Sequence, residues 1–389
     1  MGVRRLFRLL IPSAVLACLI LGPFAVFAPR LSAGADPDRA KTSGKRLFEQ
    51  ETFGGNGRTC RTCHSIATGT VSPDDAAARF AANPNDPLFR ADGSDDGAGN
   101  GVTRMVLDAT VLMRIPLPSN VTLLDDPAAR SVTLRRGIPT TLNTPTLDPV
   151  LMLDGRRPNL TAQARAAISD HAQPTRLPSA NDLQKIADFE RTSSFFSSNI
   201  LLNFARSGTP PVLPQGTNDS ASRGRRFFED VPLDPINDPK HGLCAVCHSG
   251  PMLNETNQFI QAPPFARGGR FQSIMVSEFN SAANPRHTFQ FQNSDGSLTA
   301  IMSPDPGRAL VTGRTDFESL NAFKISPLWG VARTAPYFHD NSAKTLEDVM
   351  RHYQAYFASP TEPSAFGPDP IILTQQDMSD IIAFMQLLQ

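Results

Sequence analysis

An eight-residue pattern of apolar and polar positions occurs twice along the chain, as Asp182-Leu183-Gln184-Lys185-Ile186-Ala187-Asp188-Phe189 and as Asp377-Met378-Ser379-Asp380-Ile381-Ile382-Ala383-Phe384. An acid opens each copy, and the apolar second, fifth and eighth positions fall on one stripe of an α-helix. Thr374, three residues before Asp377, predicts a capping box, with aspartate a weaker partner than glutamate. A second matching pair lies upstream: Gly44-Lys45-Arg46-Leu47-Phe48-Glu49 and Gly224-Arg225-Arg226-Phe227-Phe228-Glu229. Each predicts a short helix with an aromatic face. Between the helices of each pair the pattern breaks down, and 34 prolines and 26 glycines predict much irregular chain around few helices.

The N-terminus follows a different pattern. Arg4, Arg5 and Arg8 precede an uncharged apolar run from Leu9 to Pro29, and Ala33-Gly34-Ala35 offers small residues for cleavage. Residues 1–35 therefore read as a signal peptide, with an uncleaved N-terminal membrane anchor as the alternative. Either way the body is exported, which predicts a periplasmic protein. Cys18, inside the run, reads as inert. Lys+Arg and Asp+Glu both total 37, so no basic field points to nucleic acid.

The other four cysteines stand in two copies of one motif, Cys60-Arg61-Thr62-Cys63-His64 and Cys244-Ala245-Val246-Cys247-His248. C-x-x-C-H is the attachment sequence of c-type haem: each sulfur adds to a porphyrin vinyl group and the histidine becomes an axial ligand. Zinc also takes thiolates and imidazoles, but a zinc ribbon needs its cysteine pairs close together, and 184 residues separate Cys60 from Cys244. Two covalently bound haem c groups are expected, with Cys60, Cys63, Cys244 and Cys247 as attachment points and His64 and His248 on the irons. Set around these motifs, the repeated helices predict a mainly α chain of two fused cytochrome c-type domains with extensive irregular loops. The N-terminal domain spans 40–207 with a loop insertion, and the C-terminal domain spans 219–389. Within the insertion, Asp92-Gly93-Ser94-Asp95-Asp96-Gly97 faintly follows a calcium loop, but Thr103 stands where the closing glutamate belongs, so a solvated turn is expected.

Lys324-Ile325-Ser326-Pro327-Leu328-Trp329, Thr334-Ala335-Pro336-Tyr337-Phe338-His339-Asp340 and Thr345-Leu346-Glu347-Asp348 resemble the bacterial di-haem cytochrome c peroxidase and MauG family. Residues 43–64, Leu142-Asn143, Leu153-Asp154-Gly155-Arg156 and the second haem motif extend the likeness over most of 40–389. The resemblance implies an electron-relay haem on His248 and a peroxide-reactive haem on His64. It also implies a distal ligand for the relay haem from the helix after the Thr-Ala-Pro segment. That position falls on Tyr353, with Met350 and His352 as neighbours able to replace it. No histidine stands between His64 and His171, so the first haem keeps an open position unless Met105, Met113 or Met152 reaches it. The family's distal glutamate aligns with Gln173, which cannot carry a proton; His171, two residues earlier, has a side chain that can. Leu153 stands where relatives carry a tryptophan between the haems. Thr334 and Pro336 match the segment whose carbonyls hold calcium in the family, while Gly137 replaces its asparagine ligand.

The function implied is a periplasmic di-haem oxidoreductase that reacts with hydrogen peroxide. Its electrons come from a small cytochrome c or cupredoxin, or, as in MauG, from a protein or organic substrate. A non-catalytic di-haem electron-transfer cytochrome is the alternative.

Overall fold

The computed structural model describes residues 37–389 except 144, 146, 261–264, 281, 360–365, 367 and 368. The signal peptide or anchor read in 1–35 lies outside the described residues. The longer helices that shape the site are α1 (Pro37–Gln50), α2 (Leu160–His171), α3 (Ala180–Thr192), α4 (Asp219–Arg225), α5 (Leu346–Ala358) and α6 (Gln375–Met385). The repeated sequence segments meet in space: α1 crosses α3, and α4 crosses α6. A glycine sits at each crossing. A Cβ on Gly44 would overlap the Lys185 carbonyl and crowd Phe189, and one on Gly224 would do the same to Asp380 and Phe384. Lys185 and Asp380 hold the same place in the eight-residue pattern, so the two crossings repeat residue for residue. Each closing helix starts from a reciprocal cap with aspartate as the partner, Ser179 with Asp182 and Thr374 with Asp377.

The expectation of a mainly α chain is overturned, because the structure is 35% helical and 13% strand. The segment expected to be loop-like forms β1 (Thr110–Pro116), β2 (Val121–Leu123) and β3 (Ser131–Gly137). β1 and β3 pair antiparallel from Thr110↔Gly137 to Pro116↔Ser131. β2 pairs with β4 (His287–Gln292), which comes from the other half of the chain and pairs in turn with β5 (Leu298–Ser303). The physical reason is a period of two: Val111, Met113 and Ile115 alternate with more exposed neighbours, and Val132 and Leu134 do the same on β3. Together with Phe289 and Phe291 these residues form an apolar core separate from the two helical ones. Both phenylalanines are fully buried, and each contributes roughly 1.5–3 kcal/mol of transfer free energy.

Residues Pro37–Gln389 pack as one compact unit. Among the described residues no helix is long and apolar enough to cross a membrane.

Candidate haem sites

Both C-x-x-C-H segments wind into a single tight turn, with the amide of His64 donating to the Cys60 carbonyl and that of His248 to the Cys244 carbonyl. The side chains repeat as well. His64 Nδ1 donates to the Gly69 carbonyl at 2.8 Å, and His248 Nδ1 donates to the Leu253 carbonyl at 2.8 Å. Each acceptor lies five residues past its histidine. A carbonyl at Nδ1 fixes the tautomer and leaves Nε2 free to ligate. Burial holds both imidazoles below their ordinary pKa, His64 at about 4, so both are neutral as an iron ligand must be. Burial likewise raises the thiols of Cys60 and Cys63.

Each histidine faces a cavity that its own two cysteines also line. The cavities measure about 150 Å³ at His64 and 240 Å³ at His248, against the roughly 10–15 Å³ that one water occupies. Thiols and an imidazole of fixed tautomer around an apolar space of this size fit a thioether-linked haem in both halves. Gly137, Ile138, Pro139, Thr140, Leu153 and Lys324 line both cavities and form a shared wall. Leu153, read as standing in for the inter-haem tryptophan, is part of it. Lys324 is buried in the wall with its ammonium 2.8 Å from Asp148.

In the first cavity α2 presents one stripe: Leu160, Gln163, Ala164, Ala167, Ile168 and His171. His171 closes the stripe on the last turn. Gln173 does not reach the cavity. The helix ends at Ala172, and Gln173 turns away with φ 49° and lies exposed beside Asn56. Besides His171, the polar side chains of α2 and α3 that line it are Gln163 and Glu190, neither of them evident from the sequence. Of the three methionines considered as ligands, Met113 and Met152 line the cavity, while Met105 is fully buried in the β-rich core.

Glu190 is only 4% exposed, and burial pushes its carboxyl up to about 8 against the opposing pull of Arg191. Between 4.5, its ordinary value, and 8 the unfolded chain loses this proton before the folded chain does. Stability therefore falls as pH rises through that window, by a few kcal/mol at about 1.4 kcal/mol per unit. Glu190→Gln is expected to raise the melting temperature more at about pH 9 than at about pH 5. A difference from wild type that stays the same at both pH values would exclude the assignment.

In the second cavity α5 supplies Leu346, Val349, Met350, Tyr353, Tyr356 and Phe357 as its stripe. His352 points away, with Nε2 at 2.7 Å from the Ile274 carbonyl. Of the three candidate ligands on this helix, Tyr353 and Met350 share the cavity with His248, and His352 does not. Burial raises the Tyr353 phenol, with the thiols of Cys247 and Cys244 adding to the effect. Its ring stacks on Phe357.

Thr334 and Pro336 line the second cavity. The space beside Gly137, where a side chain would project, is filled by the carboxamide of Asn341. Asn341 Nδ2 donates to the carbonyls of Asp108 and Ala109 at 2.9 and 3.0 Å, and Gly137 N donates to the His339 carbonyl at 2.7 Å. The Thr334 hydroxyl donates to the Val331 carbonyl. No group of three or more His, Cys, Asp or Glu side chains suited to an ion occurs among the described residues. The 92–97 loop is a self-satisfied turn at Asp95 and Asp96, which accept from backbone amides within 98–104.

No family model matches the chain. The methylamine utilization protein MauG of Methylophilus methylotrophus is 25% identical to it over 281 residues, 67% of this chain and 70% of that protein. A crystal structure of a MauG-like protein associated with microbial copper homeostasis aligns with a TM-score of 0.50 at 16% identity, covering 92% of this chain and 91% of that one. The second likeness shows a shared fold.

Proposed function

We propose, for a chain that resembles the MauG and di-haem cytochrome c peroxidase family, that it is a di-haem peroxidase-like oxidoreductase. It takes hydrogen peroxide at the His64 cavity and exchanges electrons through the His248 cavity. One asymmetry carries this reading. The first cavity holds His171, whose ring is bonded to a carboxylate, whereas the second holds a tyrosine phenol facing the axial histidine's space.

When bound, haem supplies an iron that exchanges single electrons and accepts small oxidants or strong-field ligands. The chain's residues divide the remaining work. His64 and His248 present Nε2 from carbonyl-fixed rings. His171 moves a proton between the two oxygens of peroxide, a transfer that heterolytic cleavage requires. Tyr353 would offer its phenol oxygen to the second iron, where an anionic oxygen would favour the higher oxidation states. Leu153, being aliphatic, leaves the shared wall without an oxidisable ring at that position, so electrons would cross it by tunnelling. The donor is a small cytochrome c or cupredoxin, or a protein substrate, met after export to the periplasm.

A non-catalytic electron carrier is the second reading, favoured by Met113 and Met152 on the first cavity's wall. Either thioether on the first iron would close it to peroxide. The ferric protein is expected to give one high-spin and one low-spin electron paramagnetic resonance signal, and its Soret band should shift within seconds of mixing with peroxide. Two low-spin signals and an unchanged spectrum would favour the carrier.

A further inference from the structure

Arg58, two residues before the first attachment cysteine, is buried at 2% side-chain exposure. Its guanidinium is fully engaged. Nε donates to the Pro87 carbonyl at 2.8 Å, Nη2 to the carbonyls of Leu88 at 2.8 Å and Arg90 at 2.5 Å, and Nη1 to Asp92 Oδ1 and the His171 carbonyl. Asp92 spends its other oxygen, Oδ2, on His171 Nδ1. Burial alone would raise Asp92, but His171 and Arg58 hold it below the usual carboxylate range, so it remains a charged acceptor. Gly93 locks the turn that carries it, since a Cβ there would overlap the Leu88 carbonyl and the Arg58 guanidinium. Asp95 and Asp96 of the same loop accept instead from backbone amides within 98–104. Asp92 is the loop carboxylate that turns to the cavity side.

We propose that Asp92 is the positioning residue for His171. It holds the proton on Nδ1 and aims Nε2 into the first cavity as the acceptor for a proton from a small acidic oxidant, with Arg58 tying the pair to the haem-attachment turn. This rests on the reading of that cavity as the peroxide site. The step is proton transfer alone. Nε2 takes the proton from the oxygen that binds, the imidazolium is held by the Asp92 carboxylate, and the same proton returns to the departing oxygen. No net proton or electron stays on the pair.

The test compares Asp92→Asn, Asp92→Glu, His171→Gln and the Asp92→Asn/His171→Gln double variant, each verified to carry two haems per chain. Two rates are read: the spectral change with peroxide, and the association of hydrogen cyanide, a weak acid that must shed its proton to a nearby base as it binds. His171→Gln is expected to slow both by roughly a hundredfold or more. Asp92→Asn should slow both by at least about tenfold, and Asp92→Glu should recover part of the loss. The double variant should be no slower than His171→Gln alone, because Asp92 acts only through the ring. Wild-type rates in Asp92→Asn beside a slow His171→Gln would overturn the proposal and leave His171 as the base. So would a double variant that shows the two losses multiplied. Wild-type rates in His171→Gln would instead remove the base itself, and the role of Asp92 with it.

Discussion

His64→Gly is expected to abolish the peroxide reaction while both haems remain attached and the spectrum of the His248 haem is unchanged. Covalent attachment would run through Cys60 and Cys63, not through the histidine, and both cysteines line the same cavity as the ring. What the glycine removes is an imidazole whose Nδ1 is bonded to the Gly69 carbonyl and whose Nε2 is therefore the basic, correctly oriented nitrogen. Losing only the outer-shell partner of such a ligand costs roughly 10–100-fold, so losing the ligand itself should exceed the upper end of that range. The deleted ring leaves a space of its own shape, and added imidazole should restore part of the rate. Stopped-flow mixing with peroxide, with and without imidazole, checks both expectations. A His64→Gly protein that reacts at the wild-type rate would mean that peroxide chemistry belongs to the other haem.

The separation of effects follows from the architecture. The two cavities have separate histidines, separate helical stripes and separate apolar cores, and among the described residues they share the wall from Gly137 to Thr140 with Leu153 and Lys324.

What could be read from the sequence was whatever is local. C-x-x-C-H fixes cysteines and histidine within one turn, and the eight-residue repeat fixes the closing helices. Even the glycines at the helix crossings belong to the repeated segments. The β-rich region was also written locally, as alternation at Val111, Met113 and Ile115, but the surrounding glycines, prolines and aspartates drew the reading towards loop. Its partner strand, β4, comes from more than 150 residues later, and such pairing leaves no local trace. Asp92 was missed for a related reason: three aspartates crowd one short stretch, and only the fold separates the one that meets His171 from the two that serve their own turn. Gln173 lies past the end of α2, where the chain turns and carries its side chain away from the cavity. Sequence alone does not separate Met350, His352 and Tyr353, whereas the stripe that α5 turns to the cavity carries Met350 and Tyr353 and not His352.

Arg136→Leu is expected to produce the largest loss of stability of any single substitution considered. Arg136 is 1% exposed at the end of β3, next to the shared wall. It donates through Nε and Nη2 to both oxygens of Asp305 at 2.7 and 2.8 Å, and through Nη1 to Asp154 at 2.6 Å. Burial would lower its pKa, but the two carboxylates hold it above the ordinary arginine range. Asp154 keeps a second partner in Arg156 at 2.8 Å, so the leucine strands Asp305 most of all. Breaking a buried pair from one side costs about 3–5 kcal/mol, because the surviving charge stays out of water without its partner. Removing both members should cost far less, so Arg136→Leu/Asp305→Leu is expected to recover most of the loss. Because Asp154 adjoins Leu153 and Arg136 adjoins Gly137, the network grips the wall from both sides. The single variant should therefore also slow electron transfer between the haems. Guanidinium unfolding midpoints of the two variants, read beside the inter-haem transfer rate, decide the matter. A single variant within about 1 kcal/mol of wild type, or a double variant no more stable than the single one, would mean that Asp305 finds water or another cation and that the wall is held by packing alone.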